Sequence, residues 1–273
     1  MLTQIKSRVK ELVPERYRLL RYELFEKLRY YPELIVSWGT RLECPFCGGH
    51  FRRFRPAGFD YPILKEKQVV GASYHLDDVC PRCFSNARER LAYLFLKTQT
   101  ILFTYDQTVL HIAPEPNIAR LLKAQPTLKY VTADLFEPDV MTRLDVMKLP
   151  FADSTFDAII CNHVLEHVPD DRLAMFELQR ILKPGGWALL QVPIALALDK
   201  TIEDPSAKTN ADRIRLFGQD DHVRLYNRAD YVERLTGAGF RVVVSDYAHE
   251  LSQEDLQKYA LIADEQIFIG VKE

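Results

Sequence analysis

Two pairs of cysteines and a cluster of histidines and carboxylates are the residues of this chain best suited to chemistry. Cys44-Pro-Phe-Cys47 and Cys80-Pro-Arg-Cys83 are two C-P-x-C units, separated by residues 48–79. Each unit turns the chain so that both thiolates face one spot, and two units complete a tetrahedral S4 site for Zn2+. Four thiolates leave no open coordination position, so the expected ion is structural rather than catalytic. Disulfides are the competing reading, but paired C-x-x-C units in a chain without a secretory signal favour metal. His50, three residues past Cys47, is an alternate ligand or a surface residue, and Cys161 is left over as an expected buried free thiol. The second group is Asn162, His163, Glu166 and His167, directly after the apolar run Ala158-Ile159-Ile160-Cys161. A further histidine, His222, has Asp220 and Asp221 beside it to orient its ring. Imidazole exchanges a proton near neutral pH, so these histidines are candidates for a general base.

The elements around these groups follow from their apolar spacing. Phe156-Asp157 leads into Ala158–Cys161, a run with the length of a strand covered on both faces. The polar cluster then stands where that strand ends, and in open α/β sheets ligands sit outside the carboxyl ends of the strands. Asp170 and Asp171 suit a helix N-terminus, and Ala174, Leu178, Ile181 and Leu182 share one buried helical face. Lys183-Pro184-Gly185-Gly186 stops that helix, and Trp187–Val192 is the next strand. Upstream, Thr108–Ala113 is the first strand, Pro114-Glu115-Pro116-Asn117 its turn into a helix, and Tyr130–Asp134 the second strand. Asn86–Leu96 is a helix leading into this region. Tyr231–Gly239 is a helix with its stop, and 240–245 and 266–271 are the last two strands.

The run L-P-F-x-D-x-x-F-D-x-I-x-x-x-x-V-L-E-H over 149–167, followed by L-K-P-G-G over 182–186, resembles the second half of a class I S-adenosylmethionine-dependent methyltransferase. It is most similar to the small-molecule methyltransferases with a Rossmann-like domain. The resemblance implies an α/β fold, a Rossmann-like seven-stranded sheet with a reversed last strand, and S-adenosylmethionine as methyl donor. It also implies cofactor contacts from the turn His111, Ala113, Pro114 and Glu115, from Asp134 and Leu135, from Asp145 and Val146, and from Asn162 and His163. Asp134 lies 23 residues past His111, near the interval at which an acid reaches ribose hydroxyls. Asp145 matches the family's adenine-binding acid. The chain departs from the family's D-x-G-x-G-x-G turn. His111 stands at the acidic position, and Ala113, Glu115 and Asn117 stand where glycines are expected. Glu115 is expected to take over contact with the cofactor's ammonium group.

Between Pro193 and Tyr226 an insertion follows the fifth strand, a position that in this fold forms the acceptor wall. Its F-G-x-x-D-H-V-R-x-Y run over 217–226 resembles a subset of bacterial methyltransferases that also carry the paired C-P-x-C module. Here His222 is the first candidate for general base, and His163, at the position that faces the transferred methyl, is its rival. Arg213, Arg215, Arg224 and Tyr226 are the expected acceptor contacts, an arginine fork suiting a carboxylate or phosphate.

Three segments are expected: N-terminal helices over 1–40, a zinc-binding, zinc-ribbon-like module over 41–95, and the Rossmann-like domain over 96–273 with an insertion at about 194–227. Hydrophobic residues make up 47% of the 273-residue chain, enough for a substantial core. No apolar run reaches the eighteen residues of a membrane span, and the N-terminus lacks the apolar core of a secretory signal, so a cytoplasmic location is expected. Residues 1–95 hold 17 of the 36 Lys and Arg but 11 of the 38 Asp and Glu, a balance of +6 against −8 in the remainder. With the alternation Phe51-Arg52-Arg53-Phe54-Arg55, that balance supports one alternative, an RNA methyltransferase whose zinc module binds its substrate. As a hairpin strand the same alternation fits plain half-buried structure. Against RNA, Asn162-His163-Val164-Leu165 is not the N/D-P-P-Y/F type common in base-amine methylation. The missing glycines support a second alternative, a non-catalytic protein that binds the cofactor or a partner. The first reading is transfer of a methyl group to an oxygen or nitrogen of a small polar acceptor such as a sugar. Acceptor, methylated atom and oligomeric state stay open.

Overall fold

The computed structural model describes residues 34–273, so the helices expected over 1–40 lie outside it except for residues 34–40, of which 34–37 are helical and 38–40 begin the strand Trp38–Glu43. The chain is built on a seven-stranded sheet of β1 (Gln107–Ile112), β2 (Leu128–Asp134), β3 (Thr142–Arg143), β4 (Phe156–Cys161), β5 (Leu182–Leu189), β6 (Arg241–Ser245) and β7 (Ile267–Val271). Their order across the sheet is β6-β7-β5-β4-β1-β2-β3. β7 runs antiparallel to both β5 and β6, whereas the other neighbours are parallel. This is the Rossmann-like sheet with a reversed last strand expected above.

The middles of the central strands are apolar because both faces are covered. Leu110, Ile112, Ile159 and Cys161 enter one core cluster, and Val109, Ala158 and Ile160 enter the other. That alternation is the period-two consequence of the pleat. Helices α1 (Ala87–Gln99), α2 (Pro116–Lys123), α3 (Asp171–Ile181), α4 (Asn210–Phe217) and α5 (Arg228–Gly237) accompany the sheet. α3 starts where expected, with the Asp170 carboxylate accepting from the Leu173 N–H at 3.0 Å. It ends at Ile181, and β5 begins at Leu182 rather than at Trp187. Leu182 already pairs with Phe156, and the register shifts before Trp187 meets Ala158. A side chain at Gly186 would bring its Cβ within 2.9 Å of the carbonyl oxygens of Asp157 and Lys183, so the glycine permits that crossing.

The cysteine segment shares its core with the sheet. Strand Trp38–Glu43 pairs with His50–Phe51, and Arg55–Ala57 pairs with His75–Val79. Leu42, Phe51 and Phe54 join Leu91 and Phe95 of α1 and the Val109, Ile160 face of the sheet in one cluster. Phe51 and Phe54 are buried and meet edge to face, so the aromatic half of the Phe51–Arg55 run is core rather than a stacking surface for bases. The insertion packs on the same segment. Ile194–Ala195 pairs with Val69–Val70, and Leu64, Val69, Phe217 and Leu225 form a third cluster.

Arg90 on α1 is fully buried and spans these parts. It donates to the carbonyls of Asp78 and Ser85 in the cysteine segment and to those of Tyr259 and Ala260 beyond the sheet, all at 2.7–2.9 Å. Its guanidinium also lies 4.6 Å from the centre of the Phe54 ring. Replacing it leaves four carbonyls short of a donor in a place water does not reach. Arg90→Ala is expected to cost about 3–5 kcal/mol of stability, measured by urea unfolding; a loss below about 1 kcal/mol would contradict this reading.

Candidate functional site

The candidate site is built at the carboxyl ends of β1, β2 and β4. β1 ends in a turn whose first residue, Ala113, has φ +48°, a left-handed conformation that glycine adopts without cost. The chain therefore keeps a glycine-like turn with an alanine in it, held by the Ala113 N–H donating to the Ala133 carbonyl at 2.8 Å. Two residues on, Glu115 caps the start of α2 with its carboxylate turned back to the strand ends. His111 Nε2 lies 2.6 Å from Glu115 Oε2, and Asn162 Nδ2 donates to Oε1 at 2.9 Å. Tyr130 on β2 holds the other side of His111, its hydroxyl 2.8 Å from Nδ1. Burial works against the Glu115 carboxylate, yet the His111 and Asn162 contacts hold its pKa below the ordinary value. An ionised carboxylate is thus fixed among three strand ends. Tyr130 is the part of this arrangement that the sequence reading missed, since nothing local marks it.

Asp134, at the end of β2, receives the N–H groups of Phe136 and Glu137 on Oδ1 at 2.6 and 2.9 Å. Asp145 receives the Met147 N–H on Oδ1 at 2.8 Å. Both carboxylates are positioned by the loops they begin. Ala113, Pro114, Tyr130, Thr132 and Asp134 border a cleft of about 920 Å³. Leu135 is exposed beside Asp134, and Val146 is buried beneath Asp145.

After β4 the backbone turns at His163, whose φ is +55° and whose N–H donates to the Gln191 carbonyl at 2.7 Å. A histidine held in that sparsely populated region marks a position that the surroundings dictate. His163 Nδ1 lies 3.4 Å from Glu166 Oε1. Burial, and then the Arg88 guanidinium, lower the His163 pKa, while Glu166 pulls the other way. The Glu166 carboxylate is itself buried, but His163, His167 and His222 around it hold its pKa down at about 2. His222 is enclosed at 2% exposure, and burial pushes its pKa down to about 4. Burial acts on the His163 ring in the same direction, so proton affinity does not favour His163 over His222. The neighbours of His222 also differ from the expected ones: His167 and Glu166 surround it, whereas Asp221 lies against His167.

The expected acceptor contacts of the insertion are corrected by their surroundings. Arg224 is buried, donating to Glu203 and to the carbonyls of Leu165, Val168 and Pro169. The buried Tyr226 hydroxyl donates to Asp171 at 2.6 Å, and Arg234 bridges Asp171 and Glu203. These side chains form one ion network that fastens the insertion to the start of α3, and an arginine so committed has no fork for an acceptor. Arg213 leans on the Ala207 carbonyl, and Arg215 is an exposed neighbour of Asp212. A different polar chamber, of about 210 Å³, lies where the cysteine segment meets the insertion, lined by Ser73, Asp78, Asn86, Arg88 and Gln219 among others.

Beside that chamber Glu265 is buried, its Oε1 3.3 Å from where a Gly71 Cβ would stand, and its Oε2 without a hydrogen-bond partner. Burial raises its pKa to about 7. A raised carboxyl pKa means the folded chain holds the proton more tightly than the unfolded one. Stability from this group is full below the unfolded value and lost as pH rises through about 7. Glu265→Gln is therefore expected to raise stability at pH 8 by on the order of 3 kcal/mol, with the gain vanishing near pH 4. A gain that is flat across this range would contradict the assignment.

The four cysteines meet at one point. Cys44 Sγ lies 3.4 Å from Cys83 Sγ, and Cys47 Sγ 3.8 Å from Cys80 Sγ. A zinc tetrathiolate with bonds of about 2.3 Å has edges of about 3.8 Å, so the set fits that ion. The two units fold alike: Gly48 N–H donates to the Cys44 carbonyl and Phe84 N–H to that of Cys80, while Cys44 and Cys80 donate to Gly49 and Ser85. The second unit touches the turn that follows β1. Asn117 Nδ2 donates to the Cys83 carbonyl at 3.1 Å, and the Asn117 N–H donates to Glu89 Oε1 at 3.2 Å.

Known proteins resemble this chain over part of its length. The family model described as "Methyltransferase domain" matches residues 114–245, just under half of the chain. An uncharacterised methyltransferase of Schizosaccharomyces pombe is 48% identical over 42 residues, 15% of this chain and 15% of that protein. A demethylmenaquinone methyltransferase of Staphylococcus aureus is 48% identical over 42 residues, 15% of this chain and 17% of that protein. The chain thus spans only about a sixth of the length of these curated relatives. Among solved structures, an S-adenosylmethionine-dependent methyltransferase from Mesorhizobium loti is 13% identical, covering 66% of this chain and 97% of its own, with a TM-score of 0.45. A phosphoethanolamine N-methyltransferase of Haemonchus contortus, solved with S-adenosylhomocysteine, is 17% identical, covering 69% of this chain and 55% of its own, with a TM-score of 0.45. The chain has the fold of class I S-adenosylmethionine-dependent methyltransferases, and residues 114–245 match the methyltransferase-domain family.

Proposed function

We propose that the protein transfers a methyl group from S-adenosylmethionine to an oxygen or nitrogen of a small polar acceptor, with a structural Zn2+ held by Cys44, Cys47, Cys80 and Cys83. The observation that carries this reading is the ring of carboxylates at the strand ends. Glu115, Asp134 and Asp145 offer negative charge to a ligand that carries an ammonium, a sulfonium, a ribose diol and an exocyclic amine. Bound S-adenosylmethionine supplies an electrophilic methyl group. In this assignment Glu115 takes the ammonium, Asp134 the diol and Asp145 the amine, with His111 and Asn162 fixing Glu115. Leu135 and Val146 flank the two aspartates as apolar contacts. Pro114 stiffens the turn.

The acceptor is assigned to the chamber of about 210 Å³ beside Arg88 and Gln219. Its size and polar lining suit a small metabolite, and the zinc segment supplies one of its walls. Deprotonation of the acceptor is assigned to His163, which is neutral before reaction and has the Glu166 carboxylate beside Nδ1 to stabilise the imidazolium that forms. The rest of the work is alignment of donor and acceptor.

Calorimetric titration of the purified, metal-assayed protein with S-adenosylmethionine and S-adenosylhomocysteine tests the reading. Micromolar binding of both, followed by methyl transfer in a screen of polar metabolites, is the expected result. A folded, zinc-loaded protein that binds neither compound would refute it. Binding without transfer to any acceptor would favour a non-catalytic role.

A further inference from the structure

Three buried polar atoms without a hydrogen-bond partner converge beyond the end of β4: His163 Nδ1, Glu166 Oε2 and His222 Nδ1. They are three of seven such atoms among the described residues. Glu166 and His222 are each 2% exposed, and His167 is half-buried beside them. The rings of His167 and His222 meet edge to face with centroids 4.7 Å apart, and one ligand atom from each of Glu166, His167 and His222 lies within 4.8 Å of the others. We infer that Glu166, His167 and His222 form a second metal site, distinct from the tetrathiolate, for a first-row divalent cation such as Zn2+, Fe2+ or Co2+.

The donor set supports this assignment. Two imidazoles and one carboxylate are the ligands of sites that keep open positions for an oxygen ligand. Asp221 supplies the usual outer partner: its Oδ2 lies 3.3 Å from His167 Nδ1, which favours the tautomer protonated there and leaves Nε2 its lone pair. The backbone brings His222 to His167 from 55 residues away in sequence, since the Val223 N–H donates to the Glu166 carbonyl at 2.9 Å. His163 adjoins the site through Glu166, with its Nδ1 3.4 Å from Oε1. On the methyltransferase reading, an ion here would bind an acceptor oxygen next to the assigned base and ease its deprotonation. The binding of the ion does not depend on that reading.

The test is titration of the zinc-loaded protein with Co2+, read by absorption and by metal analysis. One Co2+ per chain is expected beyond the zinc in the tetrathiolate, with visible ligand-field bands and no thiolate charge-transfer band in the near ultraviolet. Glu166→Gln and His222→Ala should lose that equivalent and keep their zinc. His167→Ala, at the half-exposed ligand, is the variant least prone to misfold, and it should weaken Co2+ binding more than tenfold with an unchanged melting temperature in the absence of Co2+. A wild-type protein that takes up no Co2+ beyond the tetrathiolate would overturn the assignment. So would uptake that is equally tight in His167→Ala and His222→Ala. Cofactor titration on the same samples reports separately, so loss of one finding leaves the other standing.

Discussion

Stripping the metal from the four cysteines is expected to lower the melting temperature by more than about 20 °C and to abolish binding of S-adenosylmethionine in the same step. The size follows from where the thiols lie. Cys44 and Cys80 are fully buried, and they belong to the cluster that also contains the Val109 and Ile160 face of the sheet. Structural zinc contributes about 10–16 kcal/mol of apparent binding free energy in small domains, which matches or exceeds the whole net stability of a typical domain at about 5–15 kcal/mol. The coupling to the proposed cofactor site follows from two hydrogen bonds. Asn117 joins the Cys83 carbonyl and Glu89 to the first turn of α2, directly after Glu115. When the second cysteine unit opens, that turn loses its support and Glu115 loses its position. Calorimetric melting and cofactor titration, each with and without a strong chelator, read both effects, and Cys80→Ser should reproduce them. A metal-free protein that melts within a few degrees of the native one and binds the cofactor unchanged would sink the argument.

What was legible in the sequence was what short spacing controls. β1 and β4 were readable because a strand covered on both faces carries consecutive apolar residues, as Val109, Leu110, Ile159 and Ile160 are. The cysteine units were readable because a metal fixes ligand type and interval together. Glu115, Asp134 and Asp145 stood out as acids at strand ends. Long-range pairing was not readable. Arg224 looked like a free fork for an acceptor because its acid, Glu203, is 21 residues away and its carbonyl partners are more than fifty. Tyr226 is committed to Asp171 for the same reason. His222 was paired on paper with its sequence neighbours Asp220 and Asp221, whereas the fold encloses it against Glu166 and His167. Buried polar residues are chosen by their partners, and those partners come from other parts of the chain.

Asp134→Asn and Glu115→Gln are expected to weaken S-adenosylmethionine binding by different routes that one further ligand separates. Asp134 has two duties. Its Oδ1 holds the N–H groups of Phe136 and Glu137, and its second oxygen is assigned to the ribose. Asparagine keeps one carbonyl oxygen for the loop and replaces the other acceptor with a donor, so its effect reports the ribose contact rather than collapse of the turn. Loss of charge-assisted hydrogen bonds to a diol should cost about 2–4 kcal/mol, roughly 30- to 1,000-fold in affinity. Alanine removes the loop acceptor as well and should be worse. Glu115→Gln keeps a carbonyl for Asn162 or His111 and removes the charge meant for the ammonium group, with a loss of similar size. Burial alone would make Glu115 protonate readily, but its lowered pKa keeps it ionised, and the contribution of that charge is lost only as pH falls below the ordinary carboxyl value of about 4.5. The Glu115→Gln deficit should therefore be constant from pH 6 to pH 8. Adenosine, which has the diol and no ammonium, distinguishes the two. Its binding should fall in Asp134→Asn and stay at the wild-type level in Glu115→Gln. If Glu115→Gln weakens adenosine as much as it weakens S-adenosylmethionine, the carboxylate shapes the turn instead of meeting the ammonium, and the assignment of Glu115 fails.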